Sequence, residues 1–317
     1  MPSTTLPPTV QLKSFKPTSS ADDVVQALIH DGGCFIRNLL PQATLDEIER
    51  DVRPHLEADK PWNGDFFPPE TRRVYGLAGK SKTFTESIPG DKLYREVCDK
   101  LLSATITAYT GQTLNTSVSK PQLNNTIVFS IGPGARRQEL HRDDMIHHNQ
   151  LTAITADQYE IGRDVAIGFF VAGKQTTTMN GATRFIPGSH LWDHNTPPNE
   201  DLAVFAEMNA GDAFMMFSSC YHAGSANMTT DQERLIYSCF AVKGYLRQVI
   251  IHALFSFRVL EDSELRSARY MLTKRAGREP VSCKPDREDS RIPSGPSEIH
   301  WLPAQPSVPW MGRPGGS

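Results

Sequence analysis

The sequence predicts a mainly β fold with flanking helices, an α+β arrangement in which a strand-built core is buttressed on one side. Two observations carry this reading. From Gln122 onward the chain breaks into short β-like runs, LNNTIVFSIG, RDVAIGFFVAG, GATRFIPGS, GDAFMMFSSCYHAGS and RLIYSCFAVKGYLR, each bounded by Gly, Pro, Asn or Asp. Before Gln122 the apolar residues recur at helical spacing, and the alternation of strand and helix required by a doubly wound parallel sheet is absent. Several strands at such intervals suggest a sandwich or barrel.

Taken in order, residues 1–20 form a Pro-containing leader. Ala21 to Asp31 is a short amphipathic helix with Val24, Val25, Leu28 and Ile29 on one face, closed by Gly32-Gly33, and the buried strand CFIRNLL follows. Thr44 to Leu56 places Leu45, Ile48 and Val52 at i, i+3 and i+7, and Asp91 to Tyr109 repeats the pattern through Leu93, Val97, Leu101 and Leu102. Between these two helices, DKPWNGDFFPPETRRVYGLAG reads as a structured loop. The β domain closes near Gln248, so the main domain is 21–248. The stretch VIIHALFSFRVLEDSELRSARYMLTKRAGRE is compatible with one basic helix, and the Pro- and Ser-rich remainder of a 249–317 extension is expected to be extended or disordered.

Composition narrows the function. The chain has 317 residues with 33 Lys plus Arg against 36 Asp plus Glu, a net charge of −3, which argues against nucleic acid as a partner. The longest apolar run, in DVAIGFFVAG, is about half of the roughly 20 residues that span a bilayer, so no membrane anchor is expected. Five widely spaced cysteines form no CxxC pair and read as reduced, buried thiols of an intracellular, cytoplasmic protein.

The chemistry concentrates in Gln138-Glu139-Leu140-His141-Arg142-Asp143-Asp144. In an extended segment His141 and Asp143 point the same way and Arg142 and Asp144 the other. An imidazole and a carboxylate on one face suit a divalent transition metal, and one more histidine completes the facial triad of non-haem Fe(II), which leaves three coordination positions open. His222, 81 residues downstream, is the best third ligand because it follows the apolar strand AFMMF and precedes the small residues Ala223, Gly224 and Ser225. His147, His148, His190 and His194 compete from loop-like stretches. Arg234 opens the next strand, where an antiparallel return sets its planar fork near the metal pocket to hold a carboxylate; the plainer alternative is a surface arginine paired with Asp231 or Glu233.

Together Gln138-x-x-His141-Arg142-Asp143-Asp144, Asn180-Gly181-Ala182-Thr183, Pro187-Gly188-Ser189-His190, Gly211-Asp212, His222 and Arg234 resemble the phytanoyl-CoA dioxygenase superfamily, especially its fungal secondary-metabolite branch, from about Ala21 to Gln248. The resemblance implies a double-stranded β-helix, the cupin-like jelly roll, with Fe(II) on His141, Asp143 and His222. It implies 2-oxoglutarate as cosubstrate, its distal carboxylate on Arg234 with contacts from Gln138 and Thr183, and dioxygen at the remaining metal position. Related halogenating enzymes carry a small residue where Asp143 stands, so halogenation is not expected. After Tyr245 to Gln248 the chain departs from its relatives, which continue with an acidic, Gln- and Asn-containing stretch. The lid or homodimer contact built there is therefore expected to differ.

The expected reaction is oxidation of a C–H bond of a small apolar secondary metabolite, by hydroxylation, desaturation or ring formation. Tyr75, Phe66, Phe67 and Met145 fall where the family contributes pocket walls. Two alternatives stay open at this level: acyl-CoA 2-hydroxylation, for which no compact basic cluster is seen near the β core, and a non-catalytic jelly roll stabilised by zinc with a fourth protein ligand.

Overall fold

A computed structural model describes residues 11–61 and 67–247. Residues 1–10 of the leader, Phe66 and the whole 249–317 extension lie outside the described residues, so the expectations for them are not addressed.

The amphipathic segments fold as helices that cover one face of a sheet. Helix α1, Ala21–Asp31, has the predicted bounds: Ser20 caps its start by accepting the Asp22 N–H, and Gly32, at φ 77°, ends it in the left-handed region that glycine adopts without a Cβ penalty. Helix α2 spans Gln42–Ala58 and buries Leu45, Ile48, Val52 and Leu56, each worth about 2 kcal/mol of burial. After the short helix α3, Lys82–Ser87, comes α4, Lys92–Leu102, capped by Asp91 accepting the Tyr94 N–H at 2.8 Å. Tyr94 lies flat against Phe169 with ring centroids 4.6 Å apart, which seats α4 on the sheet's outer face.

Seven strands make the large sheet. The order is β1 (Ser14–Phe15), β2 (Gly33–Ile36), β10 (Ala213–Phe217), β7 (Ala166–Ala172), β12 (Arg234–Val242), β6 (Gln122–Ile131) and β3 (Thr71–Tyr75), antiparallel except for β1 with β2. A smaller sheet orders β11 (His222–Gly224), β8 (Thr183–Phe185) and β9 (Val204–Ala206). The two sheets meet through Phe185 against Phe214, edge to face at 5.0 Å. This is the expected mainly β jelly roll with helices on one side, its chemistry on the side the helices leave uncovered.

Two expectations are corrected. The helix predicted over Asp91 to Tyr109 stops at Leu102, and residues 104–119 form a hairpin of β4 (Ala104–Thr110) and β5 (Thr113–Ser119). The β-branched residues of ATITAYT favour a strand once Ser103 turns extended, and that preference outweighs the helical spacing. The loop predicted between α2 and α4 contains β3, an edge strand whose Thr71, Arg73 and Tyr75 lie opposite Ile131, Phe129 and Ile127. Neighbouring prolines and glycines mask a five-residue strand in the sequence. Among the described residues no helix is long and apolar enough to cross a membrane.

Candidate metal centre and cosubstrate pocket

The 81 residues separating His141 from His222 are closed by a reciprocal pair of backbone hydrogen bonds. His141 N–H donates to His222 O and His222 N–H to His141 O, both at 3.0 Å. Next along the chain, Asp143 and Asp144 N–H both donate to Ser218 O at the end of β10. The segment 141–144 is thus stitched to the 218–222 turn, and alternation sends Arg142 the other way. Arg142 is buried over the Tyr221 ring, donating to Ser189 O and Asp193 O.

His141, Asp143 and His222 offer three ligand atoms all within 4.8 Å of one another. His141 Nε2 stands 3.6 Å from Asp143 Oδ1, and His222 Nε2 stands 3.4 Å from Asp143 Oδ2. Adjacent donors on a six-coordinate ion with bonds of about 2.1 Å lie about 3 Å apart, so a small closure seats a metal. The tautomers are set correctly for this. His141 Nδ1 donates to Glu139 O at 2.8 Å and His222 Nδ1 to Cys220 O at 3.1 Å; a carbonyl only accepts, so each Nε2 carries the lone pair. Burial, helped by the neighbouring His222, lowers the His141 pKa. Burial raises the Asp143 carboxyl, but His222 and His141 beside it outweigh that and hold it below the usual range. Burial also opposes charge on His222, yet Asp143 raises its pKa, so protonation of that Nε2 competes with an arriving cation.

The triad lies on a cavity of about 240 Å³ that also takes in Arg234, Thr183 and Gln138. Arg234 is buried, and burial lowers its guanidinium to about 10. Its Nη2 donates to Thr183 Oγ1 at 2.7 Å, while its Nε has no hydrogen-bond partner. No carboxylate among the described residues pairs with it. Glu233, the neighbour named as a surface alternative, instead joins Arg53, Lys174 and Ser130, which hold its carboxyl down at about 2 against the effect of burial. Gln138 Oε1 accepts the Gly224 N–H at 3.1 Å and stays near Arg234; a Cβ on Gly224 would lie 3.0 Å from that oxygen and 3.5 Å from Arg234 Nη1. A buried, uncompensated cation beside a three-donor cluster fits an anionic chelating ligand.

The expected wall residues separate. Phe67 lines the cavity, packed against Phe129. Met145 does not line it and is 68% exposed, because a 3-10 turn begins at Asp143 and its three-residue period brings Ile146 and His147 to the cavity instead. Tyr75 is on the cavity side of β3 opposite Ile127, but it ends an edge strand, is 44% exposed and lies outside the lining. Of the competing histidines, His190 is buried on Ile29 O and His194 bonds Leu151 O. Sequence reasoning missed Asn124, Asn125, Ile127, Phe129, Phe170, Ile236 and Phe240. For Asn125, Ile127, Phe129, Ile236 and Phe240 the signal was two-residue alternation along β6 and β12, readable once their register is known; Phe170 comes from β7, and Asn124 breaks the alternation at a register shift.

Comparison with known proteins agrees with this geometry. The family model described as phytanoyl-CoA dioxygenase (PhyH) matches residues 29–235. Dioxygenase peniF of Penicillium patulum is 42% identical over 291 residues, 90% of this chain and 93% of the relative. Dioxygenase himG of Aspergillus japonicus is 42% identical over 73% of this chain and 71% of its own. In fold, the chain is similar to the non-haem α-ketoglutarate-dependent carbocyclase SnoK from nogalamycin biosynthesis, with TM-score 0.54 and 14% identity over 77% of this chain and 96% of that one. The epimerase SnoN gives TM-score 0.53 and 18% identity over 70% of this chain and 80% of that one. A family match that begins inside α1 and ends inside β12 takes in every residue of the cluster and the buried arginine, and the chain therefore belongs to the phytanoyl-CoA dioxygenase family, as an Fe(II)- and 2-oxoglutarate-dependent dioxygenase.

Proposed function

We propose that His141, Asp143 and His222 hold the ferrous ion, that Arg234 binds the distal carboxylate of 2-oxoglutarate with Thr183 and Gln138 beside it, and that the chain oxidises a C–H bond of a small apolar secondary metabolite. The observation that carries this is Arg234, a buried guanidinium without a carboxylate partner among the described residues, in the same cavity as the three donors. Iron with its cosubstrate supplies dioxygen activation and oxidation of an unactivated C–H bond, 2-oxoglutarate leaving as succinate and carbon dioxide.

The protein's own part is positioning and exclusion of water. Glu139 O and Cys220 O aim the two imidazoles, Thr183 aims the guanidinium, and Phe67, Ile127, Phe129, Phe170, Ile236 and Phe240 wall the reacting region. This apolar wall supports an apolar metabolite over an acyl-CoA, whose phosphates call for a basic groove. The deciding experiment is anaerobic titration of the ferrous protein with 2-oxoglutarate. A metal-to-ligand charge-transfer band is expected, weakened in Arg234→Ala and absent in His141→Ala, and succinate release should follow under air. No band in a folded, iron-loaded protein would reject the assignment, and turnover of an acyl-CoA would reassign the substrate.

The remaining partner and location expectations stay proposals. A cytoplasmic setting is supported by Cys34, Cys98, Cys220 and Cys239, all free and buried. A homodimer is supported by the β4–β5 hairpin, whose 16 residues carry no charge and expose Ile106, Tyr109, Leu114 and Val118. Light scattering should give a mass near twice 35.3 kDa that falls to the monomer in Val118→Lys.

A further inference from the structure

Three buried polar atoms of cavity-lining residues make no hydrogen bond among the described residues: Arg234 Nε, Ser225 Oγ and Ser218 Oγ. The first two sit near each other, since Ser225 follows Gly224, whose added Cβ would lie 3.5 Å from Arg234 Nη1. Ser218 is placed elsewhere. Its N–H donates to Ala166 O at 3.0 Å, and Ala166 stands opposite Val242, the last residue of β12, whereas Arg234 is the first.

Within the turn after β10 the neighbouring polar side chains are already bonded. Ser219 Oγ donates to the Asp164 carboxylate and Cys220 Sγ to Gly32 O, and neither residue lines the cavity. Ser218, 1% exposed, lines it with a hydroxyl that has no such partner. The same residue fastens a metal-ligand candidate: Ser218 O accepts the Asp143 N–H at 2.8 Å and the Asp144 N–H at 3.1 Å. His147 ends the 3-10 turn that begins at Asp143 and also lines the cavity. It is half-buried, and its ring makes no hydrogen bond among the described residues. Burial lowers the His147 pKa and the Asp143 carboxylate raises it, which places the ring close to that same ligand.

We propose that Ser218 and His147 form a substrate-orienting subsite for a carbonyl or hydroxyl oxygen carried on an otherwise apolar skeleton. The inference rests on the reading of His141, Asp143 and His222 as the reaction centre. A serine hydroxyl and an imidazole N–H each donate to such an oxygen, and each also accepts from it when it is a hydroxyl. Ala166, Phe170 and Phe240 line the same cavity and supply apolar contact for the skeleton. A hydrocarbon of the same shape leaves the buried Ser218 hydroxyl unpaired, which discriminates more strongly than apolar fit does. Because Ser218 O and the 3-10 turn both hold to Asp143, the bound oxygen is registered to the ligand set and decides which C–H bond approaches it.

Indane, 2-indanone and 2-indanol share one bicyclic skeleton and carry no charge, so Arg136, which also lines the cavity, forms an ion pair with none of them. In calorimetric titration of the anaerobic iron- and 2-oxoglutarate-loaded protein, at least one oxygenated probe should bind about tenfold or more tightly than indane, and which one does so separates a carbonyl from a hydroxyl. Ser218→Ala and His147→Leu should each remove most of that preference. The 2-oxoglutarate charge-transfer band, titrated on the same samples, should keep its midpoint in both variants. Indane bound as tightly as both oxygenated probes, no binding of either of them, or a preference that survives in either variant would overturn the proposal. A shifted 2-oxoglutarate midpoint in Ser218→Ala would also overturn it, because the hydroxyl would then serve the cosubstrate. An unaltered protein that prefers an oxygenated probe yet gives no charge-transfer band keeps the subsite and removes the cosubstrate assignment instead.

Discussion

Arg234 Nη2 donates to Thr183 Oγ1 at 2.7 Å, a bond between β12 of the seven-stranded sheet and β8 of the three-stranded one. The cation is therefore positioned by both halves of the jelly roll, and its orientation depends on their packing. Hydrogen bonds to charged groups contribute about 1.5–3 kcal/mol. Thr183→Val should raise the 2-oxoglutarate dissociation constant about tenfold or more in the anaerobic titration while iron binding stays unchanged. An unaltered constant would mean that Thr183 does not orient the arginine.

Gly224 tests the space beside that guanidinium. Its added Cβ would press on Gln138 Oε1 at 3.0 Å while meeting Arg234 Nη1 at an ordinary 3.5 Å. Gly224→Ala should therefore displace Gln138 first and weaken 2-oxoglutarate binding less than Arg234→Ala does. Gly224→Val, with two further methyl groups, should weaken it more than Gly224→Ala. Iron content by metal analysis should stay at the unaltered level in both glycine variants.

Loss of a metal ligand should separate cleanly from loss of fold. His222→Ala should lower iron affinity by more than about 100-fold, read by equilibrium dialysis, with the far-ultraviolet circular dichroism spectrum retained. Because Asp143 raises the His222 pKa, a proton competes for Nε2, and iron affinity of the unaltered protein should fall as the solution is acidified through the histidine range. Affinity that does not vary between pH 5 and 8 would contradict a histidine ligand.

Two buried groups away from the metal give opposing pH effects on stability. Burial pushes the Asp164 carboxyl up to about 6 from 3.8, despite hydrogen bonds from Ser219 and Tyr159. Its contribution is present below about pH 4 and is lost as pH rises to about 6. Burial pushes His190 down to about 4 from 6.5, so its contribution is present above about pH 6.5 and is lost as pH falls to about 4. Each displacement corresponds to roughly 3 kcal/mol, and the slopes oppose each other between pH 4 and 6. Urea midpoints should therefore vary little across that window in the unaltered protein. They should rise with pH in Asp164→Asn and fall with pH in His190→Gln; parallel curves for all three would refute the assignment.

Much of the architecture was legible in local pattern. The periodicity of Val24, Val25 and Leu28 with Ser20 and Gly32 at the ends specifies α1, since caps and apolar spacing act within a few residues. The strand runs after Gln122 were legible for the same reason. Tyr109 and Met145 show the limit. Tyr109 follows a helical apolar pattern but sits in a hairpin, and Met145 follows the metal claw but is turned out by a 3-10 segment.

Local sequence specifies the chemical kinds of donor, two imidazoles and a carboxylate, and the His-x-Asp spacing that lets two of them share a face. It also specifies an apolar strand run ending at His222. Tertiary structure alone decided that His222 lies across a backbone bridge from His141, that Arg234 is buried beside Thr183 rather than paired with Glu233, and that a bulge turns Asn124 into the cavity. Periodicity reports how a side chain is directed relative to its own strand. Which strands become neighbours, and in what register, depends on burial summed over the whole core.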